Sequence, residues 1–236
     1  MSDFPYLSLV KIRFIYILSL LTILFLPSCK KETPVVDFNY DYFDLTPGRY
    51  ITYKVMEVRH DAGGSILHDT LRYELKAVIG DTVIDNEGRI ARKYLRYVRD
   101  NSFLPWTLKD IWTTIITDRR AELVEENQRK IKLVFSPTIY KEWDINAFNT
   151  EDPIMCYYGW IDEPYSIQGM SFDSTVRVEQ DYELNLVRFK SKHETYAKGV
   201  GLIWKYQKDL YINGFDTINV SNGDELMMEA IDYGFE

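Results

Sequence analysis

The chain has 236 residues, of which 46% are hydrophobic and 15% aromatic, enough to bury a real core and too many for a disordered protein. Its net charge is −8 and it has no basic stripe. That excludes the clustered Lys and Arg that phosphate backbones demand, so no nucleic-acid partner is expected.

The first element is a basic stretch (Lys11, Arg13) followed by an unbroken apolar run from Phe14 to Leu26. Pro27-Ser28-Cys29 and the polar Lys30-Lys31-Glu32-Thr33-Pro34 come next. A positive start, a short apolar segment and small residues before a cut describe an export signal. The cysteine at the cut makes it a bacterial lipoprotein signal, with cleavage after Ser28 and acylation of Cys29. The apolar run is shorter than the ~20 residues of a comfortable membrane span. The chain is therefore expected to be held by acyl chains, palmitate among them, and not to cross the membrane. Two or more such chains make anchoring stable.

Residues 1–28 carry Lys11, Arg13 and Asp3, which leaves a net charge of −9 on the 208 residues after the cut. That length suits one large β domain or one compact α/β domain. With Cys29 acylated, Cys156 stands alone and no intramolecular disulfide is expected. Residues 29–36 read as a flexible tether and 37–236 as a single β-rich domain.

Aromatics alternate along 37–45, which suggests an extended segment with one buried face, and Thr46-Pro47-Gly48 is a turn. Strands are predicted over 49–60, 70–79, 82–84 and 90–98, with breaks at Asp61-Ala62-Gly63-Gly64, Gly80-Asp81 and Asp85-Asn86-Glu87-Gly88. A further strand covers 111–117. Residues 119–129 would also suit a helix, but the alternating run 131–135 favours a hairpin turning at Glu126-Asn127-Gln128. Residues 143–164 read as a long aromatic loop, 172–180 as a strand, and 184–196 as extended. Gly199 and Gly201 bend the chain before a strand at 202–212. Asn213-Gly214 is a hairpin signal. A strand at 215–220, a turn at Ser221-Asn222-Gly223-Asp224 and an edge strand at 226–231 complete the pattern. About ten strands without strand–helix alternation predict an all-β antiparallel fold, a curved sheet that is barrel-like or forms two packed sheets.

Several segments resemble uncharacterised lipoproteins common in Bacteroidota. They are Tyr42-Phe43-Asp44-Leu45-Thr46-Pro47-Gly48-Arg49-Tyr50, Val124-Glu125-Glu126-Asn127, Lys132-Leu133-Val134-Phe135, Trp143-Asp144-Ile145-Asn146-Ala147-Phe148-Asn149 and, above all, Tyr196-Ala197-Lys198-Gly199-Val200-Gly201-Leu202-Ile203. Such proteins often carry Gly where Ile145 stands, and Pro-Val where Ser136-Pro137 stands. The resemblance implies an outer-membrane location, facing either the periplasm or the surface. It implies no activity and no catalytic residues.

The residues themselves offer little chemistry. His60, His68 and His193 lack metal-type spacing, although His60 and His68 flank one loop and could face one another across a hairpin. Asp37, Asn39, Asp41 and Asp44 alternate like calcium ligands, but Tyr42 and Gly48 stand where a calcium loop needs Gly and Glu. Glu125 and Glu126 are adjacent, so on a strand they point to opposite faces and do not form one carboxylate pair. Gly199-Val200-Gly201 is a bend and not a phosphate loop. No cofactor and no metal site are expected. The best candidate ligand surface is the aromatic set Trp143, Phe148, Tyr157, Tyr158, Trp160 and Tyr165, whose plainer role is to plug a barrel end or cover a sheet. Asp69-Thr70-Leu71, Asp81-Thr82-Val83, Asp173-Ser174-Thr175 and Asp216-Thr217-Ile218 resemble the O-glycosylation signal of exported Bacteroidota proteins.

These features lead to a lipid-anchored envelope protein, all-β, that acts as a binding or accessory module for an envelope protein or a small ligand. The alternatives are a carboxylate-dependent hydrolase of the periplasm or cell surface, and a structural part of a surface machine. An apolar cavity inside a curved sheet would favour ligand carriage. Two facing carboxylates with shifted pKa values would favour the enzyme. A filled core with an exposed apolar patch would favour a protein partner.

Overall fold

The computed structural model describes residues 37–236, which cluster as one compact unit. The signal segment, Cys29 and the 29–36 tether lie outside the described residues. Twelve strands follow a short 3-10 turn at Tyr40–Phe43: β1 Arg49–Asp61, β2 His68–Ile84, β3 Ile90–Arg99, β4 Thr107–Ile116, β5 Arg120–Glu125, β6 Gln128–Val134, β7 Glu142–Asp144, β8 Met155–Ile167, β9 Met170–Leu184, β10 Arg188–Ala197, β11 Gly201–Tyr211 and β12 Asn222–Phe235. All lie in one sheet ordered β6-β5-β4-β3-β2-β1-β12-β11-β10-β9-β8-β7. Every neighbour pair is sequential except β1–β12, so two antiparallel meanders join in the middle of the sheet, at the first and last strands in chain order. The all-β antiparallel expectation holds.

The outer strands β6 and β7 nearly close the sheet into a barrel. Three groups stitch this seam. The Ile131 amide donates to the Ile145 carbonyl at 2.9 Å. The Trp143 indole donates to the Ile131 carbonyl at 3.1 Å. The Tyr158 hydroxyl accepts from the Val134 amide at 3.0 Å and donates to the Val134 carbonyl at 2.8 Å. Trp143 and Tyr158 also pack together, with ring centroids 5.0 Å apart and planes tilted by 47°, in one core cluster with Leu133, Val176 and Val178. A large side chain buried this way contributes up to about 3 kcal/mol by removing apolar surface from water. Closure matters because an open edge presents unpaired backbone groups. A second cluster, with Ile51, Tyr53, Val55, Leu75 and Ile203, lies around the β1–β12 join.

Several sequence expectations need correction. Residues 37–45 are not extended: Tyr40–Phe43 turns tightly and buries the consecutive Tyr42 and Phe43. The turn is held because Gly199 donates its amide to the Asp41 carbonyl at 2.8 Å and the Tyr42 hydroxyl reaches Asp162 and Ser174. Gly80-Asp81 does not end a strand; a bulge between Ile79 and Thr82 lets β2 run on to Ile84. The supposed loop at 143–164 contains β7 and most of β8. Its β-formers Tyr157, Tyr158, Trp160 and Ile161 are interrupted by Gly159, Asp162 and Pro164, and the structure absorbs each interruption as a register shift. Residues 215–220 form no strand, because the Asp216 carboxylate takes the Ile218 and Asn219 amides at 2.9 and 3.1 Å and competes with a ladder. Asn222-Gly223 lies inside β12, and β12 is central in the sheet, not an edge. The predicted hairpin β5–β6 forms, with Glu126 and Asn127 both at positive φ (47° and 63°) as a two-residue turn of this hand requires.

Candidate functional site

The barrel encloses a cavity of about 240 Å³. Its walls alternate inward from the strands. β1 gives Ile51, β2 gives Leu75 and Ala77, β5 gives Leu123, and β12 gives Leu226 and Met228. Phe43 and Leu45 of the N-terminal segment close one end, with Phe43 6.0 Å from the Tyr196 ring. Glu57, Tyr73, Arg96, Lys109 and Trp112 also line the cavity. The Arg96 guanidinium sits 3.8 Å over the Trp112 ring and 3.2 Å from Asp110.

Four charged side chains from four strands also line this lumen: Glu125 of β5, Lys132 of β6, Glu194 of β10 and Lys205 of β11. A bulge between Ala121 and Glu122 leaves Lys132 without a partner in the ladder and turns it inward. Glu194 and Lys205 are directly opposed across β10–β11. The Lys132 ammonium donates to Glu194 at 2.7 Å and to Glu125 at 3.3 Å. Tyr196 donates its hydroxyl to Glu194 at 2.6 Å. Lys205 lies 3.7 Å from Glu194. Lys132 and Glu194 are 4% and 1% exposed, so each needs the other to offset its desolvation.

The electrostatics follow from this packing. Burial pushes the Glu125 carboxyl up, but Lys132, Lys205 and Lys130 outweigh it and hold it at about 2. Glu194 is likewise lowered, burial being overcome by Lys132 and Lys205. Lys132 is raised, since Glu125 and Glu194 more than offset its burial. Lys205 goes the other way: burial lowers it, and the two carboxylates restore it only in part. Both glutamates are therefore ionised at neutral pH. Neither can serve as the protonated partner that a carboxylate acid–base pair requires.

The sequence singled out Glu125 only to reject its pairing with Glu126, and it missed Lys132, Glu194 and Lys205. The two lysines are single charges between apolar residues, in Ile131-Lys132-Leu133 and Trp204-Lys205-Tyr206, which is a weak local signal of an inward-facing charge. Glu194, between His193 and Thr195, carries no such signal.

The aromatic set does not form one surface. Trp143 and Tyr158 are core, and Phe148 and Tyr157 are about half exposed. Trp160 and Tyr165 stack at 5.9 Å, and Tyr165 stacks on Trp204 at 5.7 Å. His60 and His68 do face one another, with Nδ1 atoms 2.7 Å apart, and His60 Nε2 meets Glu225 at 3.0 Å. Among the described residues no group of three His, Cys, Asp or Glu is placed to hold a metal ion. Asp44 holds Arg49 at 2.7 Å, while Asp37, Asn39 and Asp41 gather round the Lys198 ammonium at 3.6, 2.9 and 4.0 Å, so a side-chain cation sits where the sequence pattern resembles calcium ligands. Cys156 is buried, and that burial pushes its thiol up to about 12, which makes it unreactive. Of the four Asp-Ser/Thr sites, Thr82 and Thr217 are exposed, Thr70 is half-buried, and Ser174 and Thr175 are engaged with Asp162 and the Glu163 carbonyl. Gly199 and Gly201 join β10 to β11 at φ 69° and 108°, as a bend requires.

His193 lies outside the lumen, between Tyr206 and Trp204 with ring centroids 4.8 and 4.9 Å away. Burial first, then the Arg177 charge, lowers it to about 4, against the opposing pull of Glu194. The unfolded chain takes up this proton below its ordinary pKa near 6.5, whereas the folded chain does so only near 4. Stability should therefore be full above pH 6.5 and fall on the order of 2 kcal/mol as pH drops towards 4, allowing for solvent screening. Urea titrations of wild type and His193→Gln between these pH values test this. The variant should lack the drop, and an equal drop in both would refute the assignment.

No family model matches the chain, and no curated protein matches it. Among solved structures it is similar to a Bacteroides fragilis protein described as a "putative exported protein with YMCC-like fold", at 10% identity and a TM-score of 0.39, over 81% of this chain and 98% of that one.

Proposed function

We propose that the protein is a lipid-anchored envelope protein that binds a small ligand inside its β-barrel. The cavity carries this reading: an apolar lumen of about 240 Å³ within a nearly closed sheet, floored by fixed charges. Sites for small molecules are concave and mostly apolar, with a few placed polar groups. A carboxylate-dependent hydrolase is the weaker reading, because Glu125 and Glu194 are both held ionised.

Titration with an environment-sensitive apolar dye tests the binding reading. Saturable binding of one dye per chain is expected. Ala77→Leu, which adds volume to the cavity wall, should weaken it at least tenfold. Binding unchanged by Ala77→Leu would place the dye elsewhere and remove the support.

The anchor rests on Leu26-Pro27-Ser28-Cys29. Among the described residues no helix is long and apolar enough to cross a membrane. Cys29→Ser should release the protein from the membrane fraction and abolish labelling by a palmitate analogue. Label retained by the variant would refute the anchor. Thr82 and Thr217 are the two exposed glycosylation positions, and the Thr82 hydroxyl accepts from Arg92 at 2.7 Å.

A further inference from the structure

We infer that the lumen selects a short-chain monoanion, an apolar chain of about seven carbons carrying one carboxylate, with that carboxylate seated on Lys205. The inference rests on the binding reading above and adds the chemical class of the ligand.

Partner geometry carries it. Every carboxylate that lines the lumen already has a close partner. Asp44 has Arg49 at 2.7 Å, Glu57 accepts from the Tyr73 hydroxyl at 2.6 Å, Glu125 has Lys132 at 3.3 Å, and Glu194 has both Lys132 at 2.7 Å and Tyr196 at 2.6 Å. One lumen cation differs. Among the described residues, Lys205 makes no hydrogen bond, and its nearest carboxylate is Glu194 at 3.7 Å. Lys109 also lines the cavity but is exposed, so water satisfies its donors. An ammonium has three donors and no acceptor, and withdrawing it from water is costly unless an acceptor arrives. The group left wanting in this lumen is thus the Lys205 ammonium, and an anion answers it.

The depressed basicity of Lys205 has the same cause, since burial outweighs its two carboxylates. An arriving carboxylate would supply the missing compensation and strengthen in the low-dielectric lumen. The neighbouring walls, Leu226, Met228 and Leu75, offer only apolar contact to the rest of the ligand. Size follows from volume: about 240 Å³ accommodates on the order of eight to ten non-hydrogen groups at roughly 25–30 Å³ each, the carboxylate included. A free short-chain acid matches that space better than the long acyl chain of a membrane lipid.

Isothermal titration of the purified protein at pH 7 with octanoate, octanol, octylamine and hexadecanoate tests the inference. Octanoate should bind at least tenfold tighter than octanol and octylamine, and hexadecanoate no tighter than octanoate. Lys205→Met should bring octanoate down to the octanol affinity while leaving octanol binding in place. If octanol binds as well as octanoate, or octylamine better, the anionic head is wrong and the binding reading survives. Much tighter hexadecanoate would overturn the size assignment and point to a lipid acyl chain. If no probe binds, the binding reading itself fails. The wild-type comparison decides the matter even if Lys205→Met folds poorly.

Discussion

Lys132→Met should destabilise the protein by about 3–5 kcal/mol at pH 7, the usual result of removing one partner from a buried ion pair. The substitution keeps the side-chain length and apolar stem, so lost packing is a minor part. What it removes is, among the described residues, the only ammonium that bonds both Glu125 and Glu194, whose exposures are 12% and 1%. The two carboxylates are then left to repel one another in the lumen, with Lys205 3.7 Å from Glu194 and Lys130 4.0 Å from Glu125 as weaker compensation. The pH dependence separates this from an ordinary core defect. In the wild type the depressed Glu125 contributes stability that is full above its ordinary value of 4.5 and is lost as pH falls through about 2. In Lys132→Met the largest cause of the depression is gone, so burial favours protonation more strongly. The deficit of the variant should therefore shrink as pH falls from 6 to 4, and Leu133→Ala, a plain cavity in the same strand, should show no such recovery. Adding Glu194→Gln to Lys132→Met should return part of the stability, since removing both partners costs less than removing one. A variant as stable as wild type at pH 7 would show that the tetrad does not hold the lumen together.

The strands were legible and the lumen was not, for physical reasons that particular residues make plain. Alternation and β-branched runs mark β1, β3, β6 and β11, because a pleated strand buries one face. The β5–β6 turn was legible because Glu126-Asn127 is short and polar between two apolar runs. The lumen charges follow the opposite logic. A charged residue on an alternating strand ordinarily marks the wet face, so Lys132 and Lys205 looked like solvent positions. Their partners are remote in sequence: Glu194 is 62 residues from Lys132 and belongs to the other meander. Only closure of the sheet brings them together, and closure depends on Trp143 and Tyr158 in a stretch that reads as loop. Their bonds to Ile131 and Val134 form only when β6 and β7 meet. The central position of β12 was hidden for a similar reason. Its pairing with β1 is the longest-range contact in the chain, and Asn222-Gly223 carries turn chemistry inside a strand.

That same dipeptide gives the second large expected effect: Gly223→Ala should cost about 4 kcal/mol and sharply lower the yield of soluble protein. Gly223 has φ 128°, a conformation that side-chain-bearing residues rarely adopt, and holding one there costs roughly 1–3 kcal/mol. Sterics add to this. A Cβ built on Gly223 lies 2.8 Å from Leu210 Cα and 3.1 Å from the Asp209 carbonyl carbon, and it overlaps the Asp209 oxygen. These are backbone atoms of β11, the strand that pairs Leu210 with Gly223. They cannot rotate away as a side chain could, so relief requires opening the ladder, and overpacking of this kind adds roughly 1–3 kcal/mol. The other face of β12 is no freer, since Gly223 also pairs with His60 of β1. Gly201 is the control. Its φ is 108°, but a Cβ there would meet only the Ile51 side chain at 3.5 Å, an ordinary contact. Gly201→Ala should therefore show the conformational cost alone, about 1 kcal/mol or somewhat more. Urea denaturation of both variants separates the two contributions. Equal losses would mean that the β11 backbone yields, and that Gly223 is required only for its φ.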